Sequence, residues 1–435
     1  MTAPRPEPGS KSVAVIGAGH VGLTTAVCLA QLGHEVICAD SDRQKVERLR
    51  RGDPTFVEDG IGELLREGLA SGRLRVIADA VEAVVEAEFS FLCLPTPGRK
   101  DGTTDVTALE EVVRRIAPRL RAGAIVVTKS TVPMGSVRLV EELLRRPDVA
   151  VVSNPEFLRE STAVRDTLHP DRIVVGAEDP GAAARVADLF AATRAPLLIT
   201  DPVTAETVKY ASNAYLATKL SFANSLARVC ELVGADMRDV LLGMGYDSRI
   251  GFDYMRPGPG WGGSCLPKDV RALAYVAESA GYEFRLLHEV LASNEEQMAT
   301  VARRVLAAAG ERADAVVAVW GLTFKAGTDD QRDSPALNVV GRLLEQRASV
   351  RAFDPTVTGD LPGLPGSLEL CFDPYAACEG ASVLAVLTEW DEFRWLDFQK
   401  VKGLMAAPSI VDTRNLLDPA AMRRLGFDYV GIGRP

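Results

Sequence analysis

Histidine is scarce in this chain, with four among 435 residues, and neither a His-rich tract nor a C-x-x-C pair is present. A zinc centre therefore has no ligand set at the usual spacing. His20, His34, His169 and His288 show no link to a nucleophile, so a histidine-based relay is not expected. The seven cysteines are an odd number, which gives no support to a disulfide framework. Basic residues are also short: 49 Lys and Arg against 59 Asp and Glu leave a formal charge of −10. That balance excludes a nucleic-acid footprint, and any anionic substrate would need a local cluster of cations. Runs of 18 or more apolar residues are missing, and the first ten residues, MTAPRPEPGS, lack the apolar centre of a signal peptide. The expectation is a protein of the cytoplasm with no membrane partner.

What the chain does contain is apolar material for two or three domains, at 47% hydrophobic residues. Residues 1–10, with three prolines, read as a disordered tail. β-Branched runs then follow at 12–17, 35–40, 89–95, 124–130, 149–155, 172–176 and 196–200, with amphipathic stretches such as 105–121 and 135–146 between them. This alternation predicts βαβ units and a mostly parallel sheet. The rhythm stops at Asp201-Pro202, after which 203–233 has no Pro or Gly and reads as one long helix. More helix is expected at 236–244 and from 268 to 309, with a break near Gly281, and a Gly- and Pro-rich loop lies at 245–267. Strand-like runs resume at 313–321, 349–355, 381–388, 409–414 and 427–433. The expected fold class is α/β, with two doubly wound Rossmann-like domains (11–202 and 311–435) joined by a helical central domain (203–310) built on a long spine helix.

Gly17-Ala18-Gly19-His20-Val21-Gly22 follows the first strand and opens a helix, the context in which a G-x-G-x-x-G sequence binds a dinucleotide. Asp40 ends the next strand, where a carboxylate accepts from an adenosine ribose and repels a 2′-phosphate. NAD is thus favoured over NADP, and a helix cap is the plain alternative for Asp40. Pro95-Thr96-Pro97 and Lys129-Ser130-Thr131 stand at strand ends on the edge where such sheets bind ligands, although turns also use these residues. Cys265 closes a glycine-rich loop at a helix start, where the helix terminus favours a thiolate, or serves as a structural loop cysteine, whereas the other cysteines mostly sit in apolar runs. Lys209 and Asn213, four apart on the long helix, share a face, although a solvated Lys is the usual case. Glu156 and Glu160 are also four apart after a strand, a pair that serves cofactor or water and is equally ordinary at a helix start. Lys325 and Arg332 supply local cations suited to a pyrophosphate, or are simply exposed loop residues.

Together these residues resemble the UDP-glucose 6-dehydrogenase family, within the wider group acting on UDP-glucose, GDP-mannose and UDP-N-acetylmannosamine. The resemblance runs from Val13 to about Gly433 through GAGHVG, PTP, KSTVP, NPEFLRES, the Lys209 and Asn213 pair, GWGGSCLPKD and FKAGTDDQRDSP. It implies that Cys265 is the nucleophile, that Lys209, Asn213 and Asp269 surround the reacting C6 carbon, and that Thr131 and Glu156 position water. It also implies that Gly17, Gly19, His20, Val21, Gly22, Asp40, Lys45, Thr96, Thr131, Glu160, Lys268 and Arg332 serve NAD. The UDP-sugar would meet Glu156, Phe157, Leu158, Arg159, Glu160, Lys209, Asn213, Tyr254, Met255, Arg256, Pro257, Gly258, Gly262 and Lys325. Arg249 and Arg414 would approach it too, from a neighbouring subunit if the expected homodimer forms. Ser161 where the family has Gly, Leu266 where it has Phe, and His20 where Tyr is common depart from the pattern without removing a reacting group. The implied activity is a four-electron oxidation of UDP-glucose with two NAD. Another nucleotide-sugar dehydrogenase, a two-electron hydroxyacid dehydrogenase and a catalytically silent sensor are the rivals. The Ser before Cys265 and the Pro-Lys-Asp after it favour UDP-glucose.

Overall fold

The structure is a computed structural model that describes residues 9–99, 101–310, 315–359, 361, 364 and 368–434. The expected tail lies, apart from Gly9 and Ser10, outside the described residues. Chain contacts divide the protein into two compact units, Met1–Ser212 and Asn213–Pro435.

The first unit holds eight strands: β1 (Ser12–Ile16), β2 (Glu35–Ala39), β3 (Leu74–Ile77), β4 (Phe89–Leu92), β5 (Ile125–Thr128), β6 (Ala150–Ser153), β7 (Ile173–Gly176) and β8 (Leu197–Thr200). Their order is β3-β2-β1-β4-β5-β6-β7-β8. All neighbours are parallel except β6 and β7, which meet antiparallel at Ser153 and Gly176. The link between those two strands carries only the short helix Ala163–Leu168 rather than a full crossover, so the chain turns back on itself. β4 and β5 are buried at every position because helices cover both faces, which explains why they read as unbroken apolar runs. The order reverses between β1 and β4, and that switch point is where an open α/β sheet takes its ligand.

The second unit repeats the plan with β9 (Val316–Trp320), β10 (Ser349–Phe353), β11 (Leu368–Leu370), β12 (Val383–Val386), β13 (Ser409–Asp412) and β14 (Asp428–Gly431). The order is β11-β10-β9-β12-β13-β14, parallel throughout. It also contains the helices Met237–Gly245, Leu266–Ser279 and Arg285–Ala308. The helix Pro202–Val233 runs unbroken through the division between the units.

Two strands, β3 and β11, have no counterpart in the sequence reading. Both are edge strands, and each carries a charged residue (Arg75, Glu369) within three or four positions, so neither shows an apolar run. The strand-like runs 89–95 and 149–155 are longer than β4 and β6, and their excess residues leave the sheet at its carboxyl edge to build the site. No described helix is long and apolar enough to cross a membrane.

Candidate active site

The turn after β1 needs its glycines for different reasons. Gly17 has φ +97°, and a Cβ there would run into the carbonyl of Cys93 beyond β4. A Cβ on Gly22 would strike the Gly17 carbonyl, so this glycine lets the helix His20–Gln31 pack down on the turn. Gly19 is unlike both: a Cβ there meets nothing, and no side chain caps the helix it begins. The open space over an uncapped helix terminus fits a pyrophosphate. Asp40 follows β2 and accepts from the Ala18 N–H at 2.8 Å, the Asp42 N–H at 2.9 Å and the Lys45 ammonium at 3.0 Å. Burial would raise its pKa, but those three donors hold it below the usual carboxylate value. Asp42, not Asp40, caps the next helix, accepting from Gln44 and Lys45. Asp40 therefore has no capping duty, and its carboxylate fits a ribose hydroxyl.

At the carboxyl edge, the Thr96 hydroxyl donates to the Thr131 carbonyl at 2.8 Å, joining the PTP and KST segments. The start of the helix Pro202–Val233 clamps the segment after Thr131. Glu206 accepts from the N–H groups of Gly135 (2.5 Å) and Val137 (3.3 Å), and the Tyr210 hydroxyl donates to the Val132 carbonyl at 3.0 Å. Between them, Lys209 is buried and meets buried Glu156 at 2.6 Å. Burial alone would raise the Glu156 pKa, but the Lys209 charge and hydrogen bond, the Leu158 N–H and Lys129 keep it lowered. Glu156 and Glu160 are not on a helix; they lie in the loop before Ala163–Leu168. Arg159, an exposed member of that loop, pairs with Asp166 at 2.6 Å.

In the second unit, Cys265 stands at the start of the helix Leu266–Ser279 without a side-chain capping bond and is only partly buried, with the Ser264 hydroxyl 3.6 Å from its sulfur. One turn into that helix, Asp269 is wholly buried. It accepts from the Asn213 carboxamide at 2.6 Å and the Lys268 ammonium at 2.6 Å. Lys209 and Asn213, which share a helix face, thus bond to different carboxylates in different units. Burial pushes the thiols of Cys28, Cys93 and Cys378 up to about 12 and raises that of Cys38 further, so these are held as inert thiols.

The glycine-rich loop lies against the FKAGTDDQRDSP segment. A Cβ on Gly262 would hit the Asp333 carbonyl, and one on Gly263, with φ +84°, would hit the Phe324 ring. Gly258 donates to Asn224 at 2.8 Å and lies beside the Arg414 guanidinium, which itself donates to the Phe324 carbonyl at 3.0 Å. Met255 and Pro257 are buried beside it, Arg256 is exposed, and Tyr254 takes a left-handed φ of +58°. Lys325 stands 5.6 Å from the Phe324 ring centroid, and exposed Arg332 forks onto buried Asp330 at 2.7 Å. Arg249 is exposed and paired with Asp247 at 2.6 Å.

Several supporting residues escaped the sequence reading. Buried Glu58 accepts from the N–H groups of Ser161 and Ala163, both at 2.7 Å, and so holds Ser161 in its left-handed conformation. Two residues earlier, Phe56 stacks on His20 with ring centroids 3.9 Å apart. No local pattern marks a contact spanning 103 residues. Lys129 and Asn154, by contrast, stood inside motifs already recognised.

Three family models cover most of the chain. They are described as the UDP-glucose/GDP-mannose dehydrogenase family's NAD binding domain (residues 11–194), central domain (203–296) and UDP binding domain (318–419). The chain belongs to this family. It is an NAD-dependent dehydrogenase with two Rossmann-type sheets. A UDP-glucose 6-dehydrogenase from Pseudomonas aeruginosa is 43% identical over 439 residues, covering 97% of each chain. The solved UDP-glucose dehydrogenase of Pyrobaculum islandicum is 36% identical, with a TM-score of 0.89 over 100% of both chains. The solved UDP-D-ManNAc dehydrogenase of Pyrococcus horikoshii is 28% identical, with a TM-score of 0.85, over 97% of this chain and 99% of that one.

Proposed function

We propose that this dehydrogenase oxidises UDP-glucose at C6 to UDP-glucuronate, removing four electrons through a covalent bond to Cys265. The observation that carries the reading is the partly exposed Cys265 thiol at a helix N-terminus, one turn from the buried Asp269, Asn213 and Lys268 network. NAD, when bound, supplies a hydride acceptor, and an alcohol-to-acid conversion needs that acceptor twice. The chain's own residues do the rest. In the first half the C6 hydroxyl loses its proton to water and C6 loses a hydride, which leaves an aldehyde; the Cys265 thiolate then adds its electron pair to that aldehyde, forming a C–S bond and an oxyanion. When hydride then leaves C6, the carbonyl reforms as a thioester. Water adds, the C–S bond breaks, the thiolate departs, and the protons of water go to the medium, leaving the carboxylate.

Lys209 and the second hydrogen of the Asn213 Nδ2 are the donors assigned to the C6 oxyanion, their geometry fixed by one helix. Asp269 orients Asn213, and Glu156 with Thr131 positions the water. The turn Gly17–Gly22 with Asp40, Lys45, Thr96, Glu160, Lys268 and Arg332 holds NAD. Phe157 to Glu160, Tyr254 to Gly258, Gly262, Lys325, Arg249 and Arg414 hold the nucleotide sugar. UDP-glucose is preferred as substrate because the UDP-glucose relatives are more alike in sequence than the UDP-D-ManNAc enzyme.

The same reading includes a homodimer. Tyr215, Phe222, Val229 and Val233 are exposed at seven-, seven- and four-residue steps along Pro202–Val233, an apolar stripe that one chain leaves in water. Light scattering at micromolar concentration is expected to give twice 46.6 kDa; a monomer alone contradicts the dimer. For the activity, purified protein with NAD is offered UDP-glucose, UDP-N-acetylmannosamine, UDP-N-acetylglucosamine and GDP-mannose, and NADH absorbance is followed. UDP-glucose is expected to give the highest kcat/KM. Preference for another sugar overturns the substrate, and no NADH with any of them overturns the activity.

A further inference from the structure

The mechanism leaves the lysine of the KST motif unused. Lys129 is buried, and among the described residues no carboxylate lies within ion-pair distance of its ammonium. It donates instead to the Asn154 carboxamide oxygen at 3.0 Å, and the Asn154 amide donates onward to the Val174 carbonyl at 2.8 Å, which orients the carboxamide toward the lysine. The Phe190 ring centroid is 5.4 Å from the ammonium. Glu156 follows two residues after Asn154 and is paired with Lys209. Lys129, Asn154, Glu156, Phe157 and Arg172 line one cavity of about 50 Å³; the Arg172 guanidinium lies 3.7 Å from the Phe157 ring centroid and also feels the Glu156 charge.

A buried ammonium without an ion pair destabilises a fold, and an apolar side chain would serve packing better. Desolvation lowers the Lys129 pKa to about 8, opposed by Cys93, Glu156 and Cys28 and reinforced by Lys209. The nearby Glu156 charge is thus one of the influences that favour the charged ammonium. Glu156 gives the charge a use. Lys209 has three N–H bonds and can donate to a C6 oxyanion while still bonded to Glu156, but the oxyanion then draws on the charge that, with the Leu158 N–H, keeps the buried Glu156 ionised.

We propose that Lys129 is a positioning residue: a further buried cation near Glu156 that keeps the carboxylate ionised while Lys209 shares its charge with the C6 oxygen of the substrate. This rests on the roles proposed above for Lys209 and Glu156.

The test uses full-length Lys129→Met, Lys129→Arg and Asn154→Asp, measuring kcat, KM, the acid side of the kcat–pH profile and the melting temperature. Lys129→Met removes the charge at similar length, and its kcat is expected to fall at least about tenfold with KM for UDP-glucose little changed. Its acid limb should move to higher pH, because Glu156 then protonates more readily. Lys129→Arg should restore both. Asn154→Asp gives Lys129 a carboxylate of its own and should also shift the acid limb upward, which keeps the test decisive if Lys129→Met fails to fold. Unchanged kcat and acid limb in folded Lys129→Met or Asn154→Asp overturn the proposal, as does a loss of activity that merely tracks a lower melting temperature. If the wild type itself does not oxidise UDP-glucose, the reading beneath the proposal fails instead.

Discussion

The two sheets reach their switch points by the same construction and finish them differently. After β1, Gly17 with φ +97° donates to the Ala39 carbonyl, and the Ala18 N–H donates to Asp40 at the end of β2. After β9, Gly321 with φ +92° donates to the Phe353 carbonyl, and the Leu322 N–H donates to Asp354 at the end of β10. In the first unit the helix begins at His20, directly after the turn; in the second, the next helix waits until Pro335. Asp354 is also filled from within, accepting from the Thr323 N–H, the Thr323 and Thr356 hydroxyls, the Thr356 N–H and the Trp390 indole. Asp40 keeps a partly open side. One scaffold edge thus offers a helix terminus and an available carboxylate. The other offers a closed carboxylate and a long loop bearing Lys325 and Arg332.

The comparison can be broken by substitution, starting with the glycines that both turns share. Gly17→Ala puts a methyl into the Cys93 carbonyl at a left-handed φ and is expected to cost more than about 3 kcal/mol of stability, read from denaturant unfolding. Asp354→Asn keeps the shape but turns an amide toward buried donors. A loss of about 2–3 kcal/mol is expected, with NAD affinity unchanged, and a stability within error of wild type would show that this carboxylate is not closed as described. Asp40→Asn should cost less, about 1 kcal/mol, since fewer donors meet this carboxylate, and should reduce the preference for NAD over NADP. That preference is expected to be at least tenfold in the wild type, about 1.4 kcal/mol, and is measured as the ratio of kcat/KM values. Gly19→Ala is the mildest: stability within about 0.5 kcal/mol of wild type, but a raised KM for NAD, since the methyl enters only the space assigned to the pyrophosphate.

The sequence made the central strands and the long helix legible because β4 and β5 are buried on both faces and 203–233 contains nothing that breaks a helix. Edge strands β3 and β11 were hidden by their partial exposure and brevity. At the site, chemistry was legible where it lies in contiguous motifs: the glycine turn and the Cys265 helix start both form as their spacing implies. Partnerships across the chain were not. That Lys209 meets Glu156 while Asn213 meets Asp269 depends on which segment, a loop or another helix, each turn of one helix packs against, and helical spacing alone cannot set this. Glu58 illustrates the same limit, since its value lies in two N–H groups more than a hundred residues away.

The most direct test of the four-electron reading is the amount of NADH formed per UDP-glucuronate, measured with the wild type and with Cys265→Ala. Two NADH per product are expected for the wild type, and Cys265→Ala should lose UDP-glucuronate formation by orders of magnitude while still binding UDP-glucose and NAD. One NADH per product, or UDP-glucuronate formed by Cys265→Ala at the wild-type rate, would contradict it.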